Sequence, residues 1–304
     1  MSDLSRGADW IAVDWGTSKL RAWSMTDAGE TIDHVSSDSG MATLEPDEFE
    51  PALLKAVSQW LDGGGTPVIA CGMVGARQGW IEAPYTAVPC PVGSAEIVTA
   101  PTANPHLNAG IIPGVCQNDP PDVMRGEETQ IAGYLAGDPG FDGVLCLPGT
   151  HTKWVHVSAC EIVSFRTFMT GELFGLLCGK SVLRHSVDTD EWDTDAFTGA
   201  LDVTRSRPES LAAQLFRLRA EGLLRDQSKA TARARLAGLL VGAELAAARS
   251  YWLGQNVALI GAPDLTSIYA GALRAQGVNP MVTDGNEMTL AGLTRVRKSR
   301  MERA

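Results

Sequence analysis

The stretch that decides the fold reads WIAVDWGTSKLRAW over residues 10–23, and a second stretch, VLCLPGTHTKWVHV over residues 144–157, repeats its plan. In both, an apolar run leads into a Gly-Thr pair, and a Lys and a Trp follow in the returning run. This pattern predicts a β-hairpin whose turn directs backbone N–H groups and hydroxyls toward a phosphate. Because the plan occurs twice, the sequence predicts two related lobes that hold one nucleotide between them.

Composition sets the class of protein. The 304 residues are 44% hydrophobic and 20% charged, which suits two globular domains, and the net charge of −11 argues against a general nucleic-acid binder. Residues 1–7 lack the apolar core of a signal peptide, and the apolar stretch 236–248 is too short to span a bilayer. The six cysteines form no CxxC pair and are expected to be reduced thiols. We therefore expect a cytoplasmic protein with no membrane or nucleic-acid partner, and leave a homo-oligomer open.

Strand-like and helix-like segments alternate along the chain, and residues 73–91 read as a long loop or several short elements. The predicted strands are 10–15, 20–26, 31–36, 68–72, 111–115, the hairpin 144–157, 161–165, 257–261 and 281–282. The predicted helices are 46–61, 127–135, 171–180, 208–225, 230–252, 267–276 and one after residue 285. This order predicts an α/β protein built by internal duplication, with an N-terminal lobe over 1–120 and a C-terminal lobe over 121–304.

Neither common nucleotide-binding glycine loop is present. The segment Gly175–Ser181 is one residue short of GxxxxGK[ST] and ends a predicted helix instead of following a strand, so a helix C-terminal glycine is the simpler interpretation. A GxGxxG fingerprint is absent from the sequence. A nucleotide would therefore be bound by other means.

Asp14 is the first candidate for chemistry. It lies at the end of an apolar strand, where a carboxylate is costly unless it meets water, a metal or a donor. Mg²⁺ is normally held by one or two carboxylates plus substrate phosphates. A turn-forming Asp that caps its own backbone is the alternative, and the second Gly-Thr turn favours function.

These residues resemble a known superfamily. The segment 14–17 looks like the first phosphate motif of the sugar kinase/Hsp70/actin superfamily, 149–153 like its second phosphate motif, and 259–263 with the following helix like its adenosine motif. More narrowly, MVGARQGW (73–80), MRGEETQ (124–130) and LPGTHTKW (147–154) are similar to the 2-dehydro-3-deoxygalactonokinase family. The resemblance runs from about residue 10 to residue 295.

The resemblance implies two ribonuclease-H-like lobes with ATP and Mg²⁺ in the interlobe cleft, and transfer of the γ-phosphoryl group to the 6-hydroxyl of 2-dehydro-3-deoxy-D-galactonate. Asp14 would be the metal ligand. Phosphoryl transfer depends on positioning and charge neutralisation, which suits these motifs. The nucleotide-binding candidates are Gly16, Thr17, Ser18, Lys19, Gly149, Thr150, His151, Thr152, Lys153, Gly261 and Ala262. A structural turn histidine remains an alternative for His151.

A sugar acid brings a carboxylate, whose usual partner is an Arg. Arg77, in the glycine-rich loop after a predicted buried strand, is the first choice. The other arginine candidates are Arg21, Arg125 and Arg166, and each is equally consistent with a surface salt bridge. Further substrate-binding candidates in the loop are Met73, Gly75, Trp80 and Tyr85, although the aromatic pair is equally consistent with loop packing.

The acceptor of the hydroxyl proton is expected near the start of the helix after residue 126. Glu128 is slightly favoured over Glu127, and Asp14 acting through water is the third choice. Acidic residues also favour helix N-termini for electrostatic reasons alone. In related sugar kinases an Asp takes this role, so a Glu here is a departure from the pattern.

Three other functions fit parts of the sequence: a kinase for another sugar or sugar acid, an actin- or chaperone-like ATPase, and a phosphatase of the same fold. An ATPase of that kind normally carries extra contact regions, for which 304 residues leave little room. Sugar-dependent formation of ADP separates a kinase from the other two classes.

Overall fold

The computed structural model describes residues 8–61, 63–93 and 96–302, so the expectation for residues 1–7 lies outside the described residues. The chain forms two compact units. Unit 1 comprises the described residues up to Phe141, Ser158–Ser164 and those from Gly285 onward; unit 2 comprises Asp142–Val157 and Phe165–Asp284. The predicted boundary between residues 120 and 121 does not coincide with these units. The helices after residues 126 and 284 both belong to unit 1. The division into lobes at residue 120 stays a prediction.

The strands and helices follow one another in this order. The strands are β1 (Trp10–Trp15), β2 (Leu20–Met25), β3 (Thr31–Ser37), β4 (Thr66–Cys71), β5 (Tyr85–Ala87), β6 (Cys90–Pro91), β7 (Val98–Thr99), β8 (Leu107–Ile111), β9 (Gly114–Asn118), β10 (Pro121–Met124), β11 (Gly143–Leu147), β12 (Thr152–Ser158), β13 (Glu161–Phe168), β14 (Val257–Gly261) and β15 (Met281–Asp284). The helices are α1 (Phe49–Val57), α2 (Glu127–Gly137), α3 (Thr170–Lys180), α4 (Arg184–Val187), α5 (Thr194–Ser206), α6 (Leu211–Leu224), α7 (Lys229–Ala247), α8 (Arg249–Trp252), α9 (Pro263–Arg274) and α10 (Gly285–Met301).

The main sheet of unit 1 has the order β3-β2-β1-β4-β8-β7. β1 pairs antiparallel with β2, which confirms the first predicted hairpin, and Asp14 lies opposite Arg21. β4 pairs parallel with both β1 and β8. All six residues of β1 are buried, as expected for a strand covered on both faces.

The sheet of unit 2 repeats this plan. Its strands follow the order β15-β14-β11-β12-β13, with β11 antiparallel to β12 and parallel to β14, and β14 parallel to β15. In both units the first strand of the hairpin therefore pairs with a later parallel strand on its other side. This correspondence confirms the internal duplication that the paired Gly-Thr turns predicted.

Several segments differ from the sequence-based expectation. The predicted strand 111–115 is two strands, β8 and β9, because Pro113 between them has no backbone N–H for a ladder. The loop 73–91 contains a 3-10 turn at Met73–Gly75 and the strands β5 and β6, of which β5 joins a small sheet in the order β10-β9-β5. Helices α4 and α5 were not predicted, and α9 begins four residues early because Pro263 suits the first helical position. None of the described helices is long and apolar enough to cross a membrane.

Two glycines let helices α2 and α10 approach closely within unit 1. A Cβ placed on Gly133 of α2 would overlap the carbonyl oxygen of Met288, and one on Gly292 of α10 would overlap that of Thr129. Leu293 and Val296 of α10 also pack against the main sheet. The start of α2 is thereby fixed against the sheet edge where β1 and β4 end.

We expect Gly133→Ala to lower the free energy of unfolding by roughly 3 kcal/mol, because its methyl group has no space between the two helices. Gly137→Ala, one turn later on the same helix, meets no atom within 4 Å and is expected to change stability by less than about 1 kcal/mol. Urea denaturation of both variants measures the difference. Equal effects at the two positions would contradict the close helix contact.

Candidate active site

Backbone contacts on one side of the first Gly-Thr turn leave its side chains exposed on the other side. The Gly16 N–H donates to the carbonyl of Lys19 at 2.9 Å, which closes the turn. Gly40 packs directly on it, since a Cβ there would overlap the backbone of Ser18. Three predicted phosphate-binding residues are exposed at this turn: Thr17, Ser18 and Lys19.

Asp14 is a buried carboxylate with an arginine partner. The Arg21 Nη2 donates to Asp14 Oδ2 at 2.5 Å, and the Arg21 Nη1 donates to Asn286 Oδ1. Burial raises the pKa of Asp14, while the charge and the hydrogen bond of Arg21 oppose that rise. Arg21 is thus the partner of Asp14 in this structure, and its predicted role as a substrate ligand stays a prediction.

Gly72 brings three backbone segments together beside Asp14. Its φ of 93° lies in the region that favours glycine, and a Cβ there would lie 2.7 Å from the carbonyl oxygen of Trp15 and 3.5 Å from Asp14 Oδ1. Gly126 approaches from α2, because a Cβ on it would lie 3.3 Å from the Cα of Gly72. The ends of β1 and β4 therefore meet the start of α2.

Glu128 and Glu127 lie in the first turn of α2. Glu128 Oε2 accepts from the Gly126 N–H at 2.7 Å, Glu128 Oε1 accepts from the Thr129 hydroxyl at 3.1 Å, and Glu127 Oε2 accepts from the Arg125 N–H at 3.1 Å. Burial and the neighbouring charge of Glu127 raise the pKa of Glu128 to about 8, although its hydrogen bonds oppose the shift. Glu128 also lines a mostly apolar cavity of about 30 Å³, enough for one or two waters.

The predicted sugar-binding residues in and near the loop after β4 differ in exposure and in the groups that they contact. Arg77 is exposed and pairs with Glu82 at 3.3 Å. Trp80 is buried and its ring stacks on Phe49, with centroids 6.5 Å apart. Arg125 is buried beneath the ring of Tyr85. Met73 is half-buried and Gly75 is buried in the 3-10 turn that precedes Arg77.

The second Gly-Thr turn, in unit 2, is supported by the start of α3. A Cβ on Gly171 would overlap the carbonyl oxygen of Gly149, and the Glu172 N–H donates to the Thr150 carbonyl at 2.9 Å. The side chains of Glu172 and His151 are hydrogen-bonded at 2.5 Å. Thr150 and His151 are exposed at this turn.

The predicted adenosine motif adjoins the second turn within unit 2. β14 ends beside β11, and a Cβ on Gly261 would lie 3.2 Å from the carbonyl oxygen of Pro148. Ala262 precedes the first residue of α9. The N-termini of α3 and α9 are thus both next to this turn, and helix N-termini attract anions.

A buried carboxylate, Glu244 of α7, lies beneath the second hairpin. Its Oε1 accepts from Trp154 Nε1 at 2.8 Å, and its Oε2 accepts from the Tyr269 hydroxyl at 2.8 Å and from the Thr170 hydroxyl. Burial raises the pKa of Glu244, and these three donors oppose the shift. In the sequence, the signal for Glu244 is a single carboxylate inside the apolar stretch 236–248.

The same network engages Thr152, which was predicted to bind phosphate. Its hydroxyl lies 3.0 Å from the Tyr269 hydroxyl. Because the single Tyr269 proton is donated to Glu244, Thr152 must be the donor in its bond with Tyr269. Lys153 is also buried, and its Nζ donates to the Thr167 hydroxyl at 2.9 Å. The phosphate roles of Thr152 and Lys153 stay predictions.

The duplicated sheet order, with a Gly-Thr hairpin in each unit, is that of the actin-like ATPase/sugar kinase fold. The family model described as 2-keto-3-deoxy-galactonokinase matches residues 14–296. The chain therefore belongs to the 2-keto-3-deoxy-galactonokinase family of kinases.

Three similar proteins cover nearly the whole chain. A relative from Rhizobium meliloti (strain 1021), assigned as a 2-dehydro-3-deoxygalactonokinase, is 40% identical over 94% of this chain and 95% of its own length. The 2-dehydro-3-deoxygalactonokinase of Escherichia coli (strain K12) is 35% identical over 94% of this chain and 96% of its own length. A crystal structure from Sinorhizobium meliloti with the same assignment is 37% identical, with a TM-score of 0.88 over 96% of this chain and 99% of that one.

Glu128 should make stability depend on pH. Its pKa is about 8 in the folded chain and 4.5 ordinarily, so between these values the unfolded chain releases a proton that the folded chain keeps. The free energy of unfolding attributable to Glu128 therefore falls as pH rises from about 4.5 to about 8, by up to ~1.4 kcal/mol per pH unit. Urea denaturation of the wild type and of Glu128→Gln across this range measures the difference. The exposed Glu30→Gln is the control, and a Glu128→Gln curve parallel to the wild-type curve would contradict the raised pKa.

The network around Glu244 gives a second stability prediction. Tyr269→Phe keeps the ring but removes one donor to Glu244 and the acceptor of Thr152, so we expect it to lower the free energy of unfolding by about 1–3 kcal/mol. Tyr251→Phe, on a half-buried tyrosine of unit 2, is the matched control and should change it by less than about 0.5 kcal/mol. Chemical denaturation followed by circular dichroism compares them. Indistinguishable curves for the two variants would exclude a stabilising network.

Proposed function

We propose that this chain transfers the γ-phosphoryl group of ATP to the 6-hydroxyl of 2-dehydro-3-deoxy-D-galactonate, giving ADP and the 6-phosphate, in galactonate catabolism. The observation that carries the proposal is the buried Asp14 carboxylate beside an outward-facing Gly-Thr turn, in a chain of the 2-keto-3-deoxy-galactonokinase family. A buried carboxylate is costly to folding, and perturbed carboxylates concentrate at functional sites.

Asp14 is the proposed ligand of Mg²⁺. Within residues 8–61, 63–93 and 96–302, no group of three or more His, Cys, Asp or Glu side chains could hold a metal. Mg²⁺ commonly uses one or two carboxylates together with substrate phosphates, so a single carboxylate fits this ion. When bound, the metal would neutralise charge on the phosphates. Arg21 hydrogen-bonds the Asp14 carboxylate and favours its charged form against the effect of burial.

Each of the two Gly-Thr turns is a proposed phosphate-binding element for ATP. Thr17, Ser18 and Lys19 present exposed hydroxyl and ammonium groups in unit 1, while Gly149, Thr150 and His151 present backbone, hydroxyl and imidazole groups in unit 2. The adenosine part is assigned to Gly261 and Ala262, because they adjoin the second turn and the start of α9. The helix N-termini beside that turn would add further attraction for the phosphates.

Glu128 is the proposed acceptor of the proton from the sugar hydroxyl. An efficient general base has a pKa near the working pH, and the pKa of Glu128 is about 8. Gly72 and Gly126 bring the start of α2, and with it Glu128, to the end of β1 that carries Asp14. Glu127 has a bond to the backbone of Arg125 and remains the second choice.

We propose a cytoplasmic location, where a chain with six free cysteines keeps its thiols reduced.

Asp14→Asn should abolish sugar-dependent formation of ADP, by at least about 1,000-fold in kcat, because the amide cannot supply the charge that holds the metal. A coupled assay for ADP with 2-dehydro-3-deoxy-D-galactonate and a panel of related sugar acids measures the loss. Asp47→Asn, at an exposed position of unit 1, is the control for a neutralised aspartate.

The assay discriminates between the proposed function and its competitors. We expect ADP from the wild type only when the sugar acid is present, and wild-type rates from Asp47→Asn. Wild-type activity in Asp14→Asn with an intact fold would remove Asp14 from the site. ADP release at the same rate without sugar would identify an ATPase instead.

A further inference from the structure

Arg125 carries a buried positive charge that the protein itself only partly compensates. The residue is 8% exposed, and its Nη2 donates to the carbonyl of Ala83 at 2.7 Å. Among the residues that the structure describes, its Nε and Nη1 have no hydrogen-bond partner. A guanidinium group carries five N–H donors, so this one keeps donors unused inside the protein.

The guanidinium group of Arg125 is closely surrounded by an aromatic ring and by backbone that has no side chain. The ring of Tyr85 covers it, with the Arg125 Cζ 4.4 Å from the ring centroid. A Cβ on Gly75 would lie 2.9 Å from the Arg125 Nη1, so any side chain at position 75 would press on the guanidinium. Tyr85 in turn packs on Gly114, where a Cβ would lie 2.7 Å from the ring. Two glycines and one aromatic ring therefore fix the position of this cation.

The compensation of Arg125 is weaker than that of two other arginines of unit 1, Arg21 and Arg77. Arg21 also leaves its Nε unpaired, but Asp14 supplies an opposite charge at 2.5 Å. Arg77 is paired with Glu82, and its side chain is 78% exposed, so solvent screens that pair. Arg125 has a carbonyl and a ring instead of a carboxylate. A buried charge without an opposite charge is unfavourable, and a ligand carboxylate would relieve it.

We infer that Arg125, rather than Arg77, binds the carboxylate of the sugar acid and selects acidic over neutral sugars. This inference rests on the proposed function for the identity of the sugar acid. Tyr85 is 41% exposed, and its ring covers the guanidinium group. Gly75 belongs to the 73–80 motif and Arg125 to the 124–130 motif, which places parts of both family-like segments at one cation.

The test compares 2-dehydro-3-deoxy-D-galactonate with its carboxamide, which has the same shape without the charge. Titration calorimetry measures binding of both molecules to the wild type, Arg125→Met and Arg125→Lys. We expect Arg125→Met to weaken binding of the acid by about 100-fold and to leave binding of the amide within about threefold. Arg125→Lys keeps the charge but loses the planar fork, so about tenfold weaker binding of the acid is expected.

Arg297→Met is the matched control. Arg297 is also mostly buried in unit 1, but the carboxylate of Asp27 pairs with its guanidinium at 2.9 Å. Its substitution should change binding of either molecule by less than about twofold. Circular dichroism and thermal unfolding establish that each variant is folded; if Arg125→Met does not fold, Arg125→Lys decides.

The outcomes separate the inference from the proposed function. Equal weakening of acid and amide in the folded Arg125 variants, or acid-selective weakening in Arg77→Met instead, would overturn the role of Arg125. If the wild type binds the acid selectively through Arg125 but forms no ADP with it, the proposed function fails and the inference stands. If the wild type phosphorylates the acid and Arg125→Met and Arg125→Lys still prefer it as strongly as before, only the inference fails. Binding of neither molecule by the wild type would overturn both.

Discussion

The close approach of three backbone segments at Gly72 is the constraint on which the candidate site of unit 1 depends. The end of β1 and the start of α2 come near this glycine, and no side chain fits between it and the carbonyl of Trp15. The approach encloses Asp14 and raises the pKa of its carboxyl group by burial, and Arg21 supplies the counter-charge. Burying the Asp14 carboxylate is unfavourable for folding, and it occurs at the place where phosphoryl transfer would need a fixed negative group.

Unit 2 supports its turn by a different use of a buried carboxylate. Glu244 lies beneath the hairpin and accepts hydrogen bonds from Trp154, Tyr269 and Thr170, so it joins β12, α9 and α3 to α7. In unit 1 the carboxylate belongs to the hairpin itself. The two copies of the sheet order therefore differ in the place of their carboxylate: the first has Asp14 within its hairpin, whereas the second has Glu244 beneath its hairpin and the N-termini of α3 and α9 beside its turn.

Local sequence patterns predicted the parts of the fold that are determined by residues adjacent in the sequence. The apolar run, Gly-Thr turn and returning run predicted both hairpins, and the short run before Gly72 predicted a buried parallel strand. The sequence favoured Arg77 over Arg125 but could not show their environments, because these are set by Glu82, Tyr85 and Ala83 through the folded loop. Trp80 and Thr152 have the residue types of ligand-binding groups, yet the structure packs one on Phe49 and hydrogen-bonds the other to Tyr269.

The proposed function makes the buried Asp14 part of a kinase that attaches phosphate to a sugar acid. Phosphorus-31 NMR of a reaction containing the wild-type protein, ATP, Mg²⁺ and 2-dehydro-3-deoxy-D-galactonate tests it most directly, because a phosphate ester and inorganic phosphate give separate signals. We expect one new phosphomonoester signal, coupled to the protons on carbon 6, that grows in step with ADP. Inorganic phosphate as the sole product alongside ADP would contradict it.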